Sequence, residues 1–570
     1  MQEPIWVRHY LPGVPARIEK PEFPTLVDCV RASTAANPGK TAFTICFPDA
    51  VGGSLTFDEV DRLSDAFAAY LRESLRLETG DRVAIQSPNI LAHPIVTFGV
   101  FKAACILVNT NPRYTSHEMS HQFRDSGAKA LVVADDCVEK LPTALPQTAI
   151  QHVVTTGTND FCPGAPDFVG PPGSLPLVEA LARGREIISS RGLDVRSYAA
   201  ELKPDDVAIL QYTGGTTGVS KGAMLTHANL LWHLTVTRKF SESQTNPEGE
   251  VVLTVLPLYH IFAFSINLLN YFRDGSHNIL IPVARPLTNL RKAFESFPIT
   301  WMTGVNTLFA GLLNEPWFRA HPPKAMKVAI GGGAAMHRAV MEDWTQLVGT
   351  PIYEGYGLTE TSPALAFNLI GGKTRIGTIG VPLPNVEMRF VKDDGSEAAF
   401  GEPGEIVVRS PLVMAGYWNR PDETAKVLKD GWLRTGDIGT MDEDGYVRIV
   451  DRKKDMILVS GFNVYPNEVE DCIAKLPGIV EVAVIGVPDE HTGERVKAFV
   501  VTSDPTLTPE KIRVHCREYI TDYKVPKELE FLDELPKSTV GKILRRELRA
   551  EEIRKLHSLS SKVPHSPIAS

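Results

Sequence analysis

The chain has 570 residues, which at about 150 residues per domain means several domains or one large domain with a companion, and excludes a single small module. Apolar residues at 43% and charged residues at 22% are globular values, excluding a disordered or fibrous chain. Lys and Arg number 59 against 68 Asp and Glu, a net charge of -9, which excludes a protein whose whole surface binds nucleic acid.

The first twenty residues include Glu3 and no apolar run of signal-peptide type, and seven scattered cysteines without a CxxC pair suit a reducing compartment, so the expected location is the cytoplasm. Up to about residue 450, helical runs alternate with short apolar strands, the pattern of parallel sheets covered by helices. Ser64 to Leu77 reads as a helix and leads through Gly80 to strand-like DRVAIQSP, and Glu118 to Asp125 reads as a helix that ends at Gly127 before AKALVVA. Gly157 to Leu175 is rich in Gly and Pro and predicts a surface loop.

Val251 to Phe272 runs 22 residues without a charged side chain, long enough for a bilayer. Pro257, Tyr259, His260, Ser265, Asn267 and Asn270 interrupt it, so it predicts a buried strand and helix instead. After about residue 455 a smaller α+β unit follows. It comprises a strand at Met456 to Val459, a helix with Pro466 at its first position and Val469, Cys472, Ile473 and Leu476 on one face, and alternation at Val480, Val482 and Val484. RVKAFVVT, a helix capped by Thr508 with Pro509 behind it, and strand-like LEFL complete it, and the Ser- and Pro-rich residues from Ser558 to Ser570 predict a disordered tail.

The segment with most chemistry is YTGGTTGVSKG, Tyr212 to Gly222, after strand-like DVAILQY and before a helix capped by Thr226. Gly214, Gly215 and Gly218 let backbone amides approach an anion, Thr213, Thr216, Thr217 and Ser220 add hydroxyls, and Lys221 adds charge: a phosphate cradle. It is not a Walker A loop, and Gly541-Lys542 is not one either, because Ile543 follows and Pro536 stands where the first glycine belongs. His117-Glu118-Met119-Ser120-His121 is a formal HExxH, the zinc-protease spacing, but Arg124 occupies the place of the glycine in the longer form of that motif.

With YGLTETSP at Tyr356 to Pro363, GWLRTGDIG at Gly431 to Gly439, DRKKDMILVSGFNVYPNEVE at Asp451 to Glu470 and PKSTVGK at Pro536 to Lys542, the cradle resembles the adenylate-forming acyl-CoA synthetases, in order and over nearly the whole chain. PLYHIFAFSIN and TGVNTLF are similar to the bacterial long-chain fatty-acid CoA ligases. The resemblance implies an α/β fold: a large domain of helix-covered, mostly parallel sheets at residues 1-452, a small mobile α+β domain at 453-557, and the tail from 558. It implies activation of a long- or medium-chain fatty acid through an acyl-adenylate, with ATP and CoA as co-substrates and Mg²⁺ as cofactor.

By the same resemblance, Thr213, Gly214, Gly215, Thr216, Thr217, Gly218 and Lys221 hold the ATP phosphates. Gly332, within Gly331 to Gly333, and Tyr356 bound the adenine. Thr359 and Glu360 serve the phosphate and Mg²⁺, with Glu360 as the metal ligand. Asp437 takes the ribose hydroxyls with Arg452 assisting, Lys542 stabilises charge in adenylate formation, Lys454 is the hinge about which the small domain turns, and Gly461 borders the CoA pantetheine. His260 is the gate near the substrate carboxylate. Phe262, Phe264, Ile266, Leu268, Leu269, Val305 and Phe309 line the acyl region, which favours an apolar chain over an aryl acid. A carrier-protein partner is disfavoured because 28 residues follow Lys542. No nucleic-acid partner is implied; peripheral membrane contact, a homodimer and the acyl chain length stay open.

Overall fold

In the computed structural model, residues 4-166, 168-213, 220-460, 462-489, 491-538 and 541-560 are described. The chain forms two compact units. One consists of Met1–Met388, Val408–Arg434 and Asp444–Val447, the other of Arg389–Val407, Thr435–Glu443 and Arg448–Ser570.

Among the described residues the first unit contains two large sheets. In the nine-stranded sheet, Ile352–Gly357, Val328–Gly331, Trp301–Gly304, Val251–Thr254, His277–Leu280 and Thr41–Cys46 run parallel in that spatial order. Antiparallel strands extend it at both edges, Val51–Thr56 on one side and Ala364–Phe367 with Val381–Pro382 on the other. The eight-stranded sheet has Val207–Tyr212, Ile106–Thr110, Arg82–Gln86, Ala130–Ala134 and His152–Thr156 parallel, with Gly222–Thr226 antiparallel beside Val207–Tyr212. The central strands are buried along nearly their whole length, as strands covered on both faces must be.

The apolar run of 251-272 becomes the strand Val251–Thr254 and, beyond a loop, the helical turns Ile261–Ala263, Phe264–Asn270 and Tyr271–Arg273, of which the middle one is a π-helix. No helix among the described residues is long and apolar enough to cross a membrane. Within the run, Asn267 donates to Thr254 Oγ1 at 3.2 Å and accepts from Thr303 Oγ1 at 2.9 Å, so its polar side chain is paired inside the fold.

In the second unit, Gly493–Thr502 pairs antiparallel with Ile479–Asp489 and parallel with Glu528–Phe531. The helices Pro466–Ile473 and Pro509–Tyr519 cover this sheet with Val469, Cys472, Ile473, Ile512 and Cys516. Pro466 and Pro509 stand at the first helical positions, and the Thr508 hydroxyl accepts the Lys511 N–H at 3.3 Å. The expected alternation fails at one place: a bulge between Ile479 and Glu481 turns Val480 outward while Val482 and Val484 stay in the core. The last helix runs Arg545–Ser560; the rest of the expected tail, residues 561-570, lies outside the described residues.

Candidate functional site

Local sequence positions the phosphate segment. Val207–Tyr212 is a β-branched and apolar strand, and Thr226 caps the helix His227–Ser241 through a capping box with Asn229. One element differs from the sequence reading. Gly222–Thr226 is itself a strand, antiparallel to Val207–Tyr212 with Tyr212 opposite Gly222, so a strand stands between the segment and the helix. Gly214, Gly215, Thr216, Thr217 and Gly218 lie outside the described residues. Their flanks are fastened: the Thr213 N–H donates to the Lys221 carbonyl at 2.9 Å, and the Tyr212 phenol donates to Asp125 at 2.8 Å.

Lys221 and Glu360, far apart in sequence, converge on Tyr417. The Lys221 ammonium lies 4.7 Å from the centre of the Tyr417 ring and 2.8 Å from Glu423, while the Tyr417 phenol donates to Glu360 Oε1 at 2.7 Å. Lys221 and then Lys426 hold the Glu423 carboxyl down at about 2. Burial, reinforced by the Glu360 and Glu423 charges, pushes the Tyr417 phenol far above its ordinary range, so it stays a neutral donor. Thr359 opens the 3-10 turn that contains Glu360, and the Met414 N–H donates to the Glu360 carbonyl at 2.8 Å. One oxygen of Glu360 is thus oriented by a hydroxyl. A carboxylate has acceptor capacity left over, and Mg²⁺ sites built on one or two carboxylates plus substrate phosphates ask for no more. The residues present fit that ion.

Gly332 permits a close approach: a Cβ there would meet the Gly355 carbonyl at 3.1 Å and the Phe262 ring at 3.4 Å. Gly333 has φ +77°, where a side chain strains the backbone. Tyr356 sits half-buried at the end of Ile352–Gly357, in the strand next to the one that Gly331 ends. His260 caps Ile261–Ala263, its Nδ1 accepting the Phe262 N–H at 3.3 Å. The loop that delivers His260 is clamped by buried Asn89, which donates to the carbonyls of Thr254 and Leu256 at 3.1 and 3.0 Å and accepts the Leu258 N–H at 2.8 Å. Gln211 adds a hydrogen bond to the Tyr259 carbonyl at 2.9 Å. The seven apolar residues expected around the acyl chain are all buried.

Asp437, Arg452, Lys454 and Lys542 belong to the second unit. Asp437 is buried, accepts an ion pair from Arg452 at 3.4 Å, and has its N–H bonded to Thr435 Oγ1 at 3.1 Å. The backbone around Lys542 is folded on itself, with its N–H on Ser538 Oγ at 3.1 Å and its carbonyl taking the Ser538 N–H at 2.7 Å. Burial, helped by the Arg452, Lys454 and Arg545 cations and opposed by Asp437, lowers the Lys542 ammonium to about 7. Lys454, partly desolvated and beside the Arg452 cation, falls to about 8. Arg545 is held by Glu470 at 2.7 Å and Arg549 by Asp455 at 2.8 Å, so the carboxylates nearby are spent on guanidinium groups rather than on the two lysines. Gly461 lies outside the described residues.

The formal HExxH has a structural use. Glu118 closes a capping box with Thr115 at the start of Ser116–Ser126, accepting the Thr115 N–H at 2.8 Å, and His121 Nε2 meets the Ser220 carbonyl at 3.1 Å. Sequence reasoning did not find Asn89, Tyr417 or Glu423. Their partners are up to 202 residues away, and the only local signal is the Gly416-Tyr417 pair just before Pro421–Val427.

Residues 30–418 match the model of the AMP-binding enzymes, and residues 468–542 match their C-terminal domain. A long-chain-fatty-acid-CoA ligase of Escherichia coli O157:H7 is 45% identical over 96% of this chain and 98% of its own. A long-chain-fatty-acid-CoA ligase of Yersinia pestis is 45% identical over 97% and 99%. Among solved structures, ATP-bound MatB from Rhodopseudomonas palustris superposes with a TM-score of 0.81 at 28% identity, covering 92% of this chain and 98% of that one.

Proposed function

We propose a reaction on one premise: this chain belongs to the AMP-binding enzyme family. It activates a long- or medium-chain fatty acid in two steps. The carboxylate attacks the α-phosphorus of ATP, forming the mixed acyl–phosphate anhydride bond and breaking the bond to pyrophosphate. The CoA thiol then attacks the acyl carbon, forming the thioester, expelling AMP and losing its proton. Full-length identity of 45% to fatty-acid ligases is the observation that carries this reading.

In it, Lys221 leaves Glu423 for the ATP phosphates, and Gly332 and Tyr356 bound the adenine. Asp437 accepts the ribose hydroxyls with Arg452 beside it. Thr359 and Glu360 face the phosphates, and Glu360 holds Mg²⁺, which when bound neutralises phosphate charge. The Lys542 cation meets the negative charge that builds up as pyrophosphate leaves, so the chemistry is positioning and electrostatics with no protein nucleophile. His260 and its clamped loop border the reacting carboxylate, and the buried apolar residues beyond it take the chain. Gly461 borders the pantetheine, and Lys454 is the hinge. The enzyme works in the cytoplasm.

The test is a panel of saturated acids of graded length together with aryl acids, scored for CoA-dependent AMP release. Turnover peaking among the longer alkyl acids is expected; preference for an aryl acid would overturn the substrate assignment.

A further inference from the structure

The histidine that completes the formal HExxH stands beside the phosphate segment. His121 and Asp125 lie four residues apart on the helix Ser116–Ser126, one above the other on a single face. That face meets both described ends of the segment. Asp125 Oδ2 accepts the Tyr212 phenol at 2.8 Å at one end, and His121 Nε2 lies 3.1 Å from the Ser220 carbonyl at the other. A carbonyl oxygen can only accept, so the His121 proton is on Nε2. His117, one turn back, is exposed, and no group of three or more His, Cys, Asp or Glu among the described residues could hold a metal ion.

The helix is a firm support for these two bonds. A capping box closes its start, Gln122 donates to the Asn109 carbonyl at 2.8 Å, and Met119 and Phe123 are buried in the core that also takes Leu210 and Tyr212. Burial, reinforced by the Asp125 charge, pushes the Tyr212 phenol far above its ordinary range, so it stays a neutral donor. Asp125 has a second partner. Its Oδ1 takes Arg420 at 2.6 Å, and its side chain is only 7% exposed, so water competes little for either bond. Arg420 stands between Tyr417 and Glu423, the two residues on which the Lys221 ammonium rests, and the Trp418 N–H donates to the Gly222 carbonyl at 2.8 Å. Ser220 immediately precedes Lys221. One helical turn thus fixes the backbone beside Lys221 and, through Arg420, the segment that carries its partners.

We propose that His121 and Asp125 are positioning residues for ATP, holding the chain at Tyr212 and Ser220 so that Lys221 is presented to the phosphates that ATP has and AMP lacks; this rests on the ATP-dependent activation proposed above. Neither side chain touches a reacting atom. Their contribution is that the ordering of the Lys221 backbone is complete before the nucleotide arrives, so less of the binding energy is spent on it.

The experiment measures Kd for MgATP and for AMP by calorimetry on the full-length enzyme, without fatty acid or CoA. The readout is the ratio of the two. His121→Phe keeps a ring and removes the donor; it should raise the Kd for ATP about fivefold, the usual worth of one hydrogen bond, and leave that for AMP unchanged. His121→Gln places an amide N–H near the same point and should return the ratio to the wild-type value, which restored packing alone would not do. Asp125→Asn, equal in shape, should move the ratio in the same direction because its amide cannot pair with Arg420, and it reads the proposal should His121→Phe fail to fold. Equal weakening of ATP and AMP, a ratio that the Gln variant does not restore, or a ratio unmoved in the Phe and Asn variants would overturn the inference while leaving fatty-acid activation standing. A wild-type enzyme that does not bind ATP would overturn both.

Discussion

Lys542 carries the sharpest test at the level of single residues. Its ammonium is lowered to about 7, so the cation is present below that pH and is lost as pH rises through it. In the free enzyme, kcat/KM for ATP should therefore fall above about 7. Lys542→Arg should slow the reaction yet abolish this limb, because a guanidinium keeps its proton beyond about pH 12. Only a weaker limb near 8 from Lys454 should remain. An unchanged limb in the Arg variant would take Lys542 out of its role. Lys542, Lys221, Glu360 and Asp437 could be nominated from the sequence because each stands inside a contiguous motif. Tyr417 and Glu423 were not, since a phenol 57 residues from its carboxylate and a carboxylate 202 residues from its lysine leave no local trace.

Elements were most legible where a cap or a period marked them. Thr226, Thr508 and Pro466 begin helices as their chemistry requires. The helix read from Ser64 begins at Phe57 instead, because Thr56 and Glu59 form a capping box upstream. Gly222–Thr226 was missed because its pairing with Val207–Tyr212 decides its conformation, and the bulge beside Val480 breaks a period that looks regular in the sequence. Asn89 shows what such tertiary bonds do for a loop. Asn89→Ala removes three hydrogen bonds and strands two buried carbonyls and an N–H, a cost of about 3 kcal/mol. The thermal midpoint should fall by several degrees, and kcat/KM for the acid should fall with it as the His260 loop loosens. A midpoint shift below about one degree would show the clamp to be dispensable.

At the level of the molecule, the alternation of apolar strands and helices was enough to foresee parallel sheets under helices. It could not show that strands from distant segments form two separate large sheets, or that the second compact unit draws in Arg389–Val407 and Thr435–Glu443. Such groupings depend on long-range pairing that no local window contains. The central claim is that the fatty carboxylate itself attacks the α-phosphorus. A fatty acid labelled with ¹⁸O in its carboxyl group, turned over with ATP, Mg²⁺ and CoA, tests this by mass spectrometry of the nucleotide product. One ¹⁸O in each AMP, alongside pyrophosphate and acyl-CoA in equal amounts, is the predicted result. Unlabelled AMP, or ADP with labelled phosphate, would contradict it.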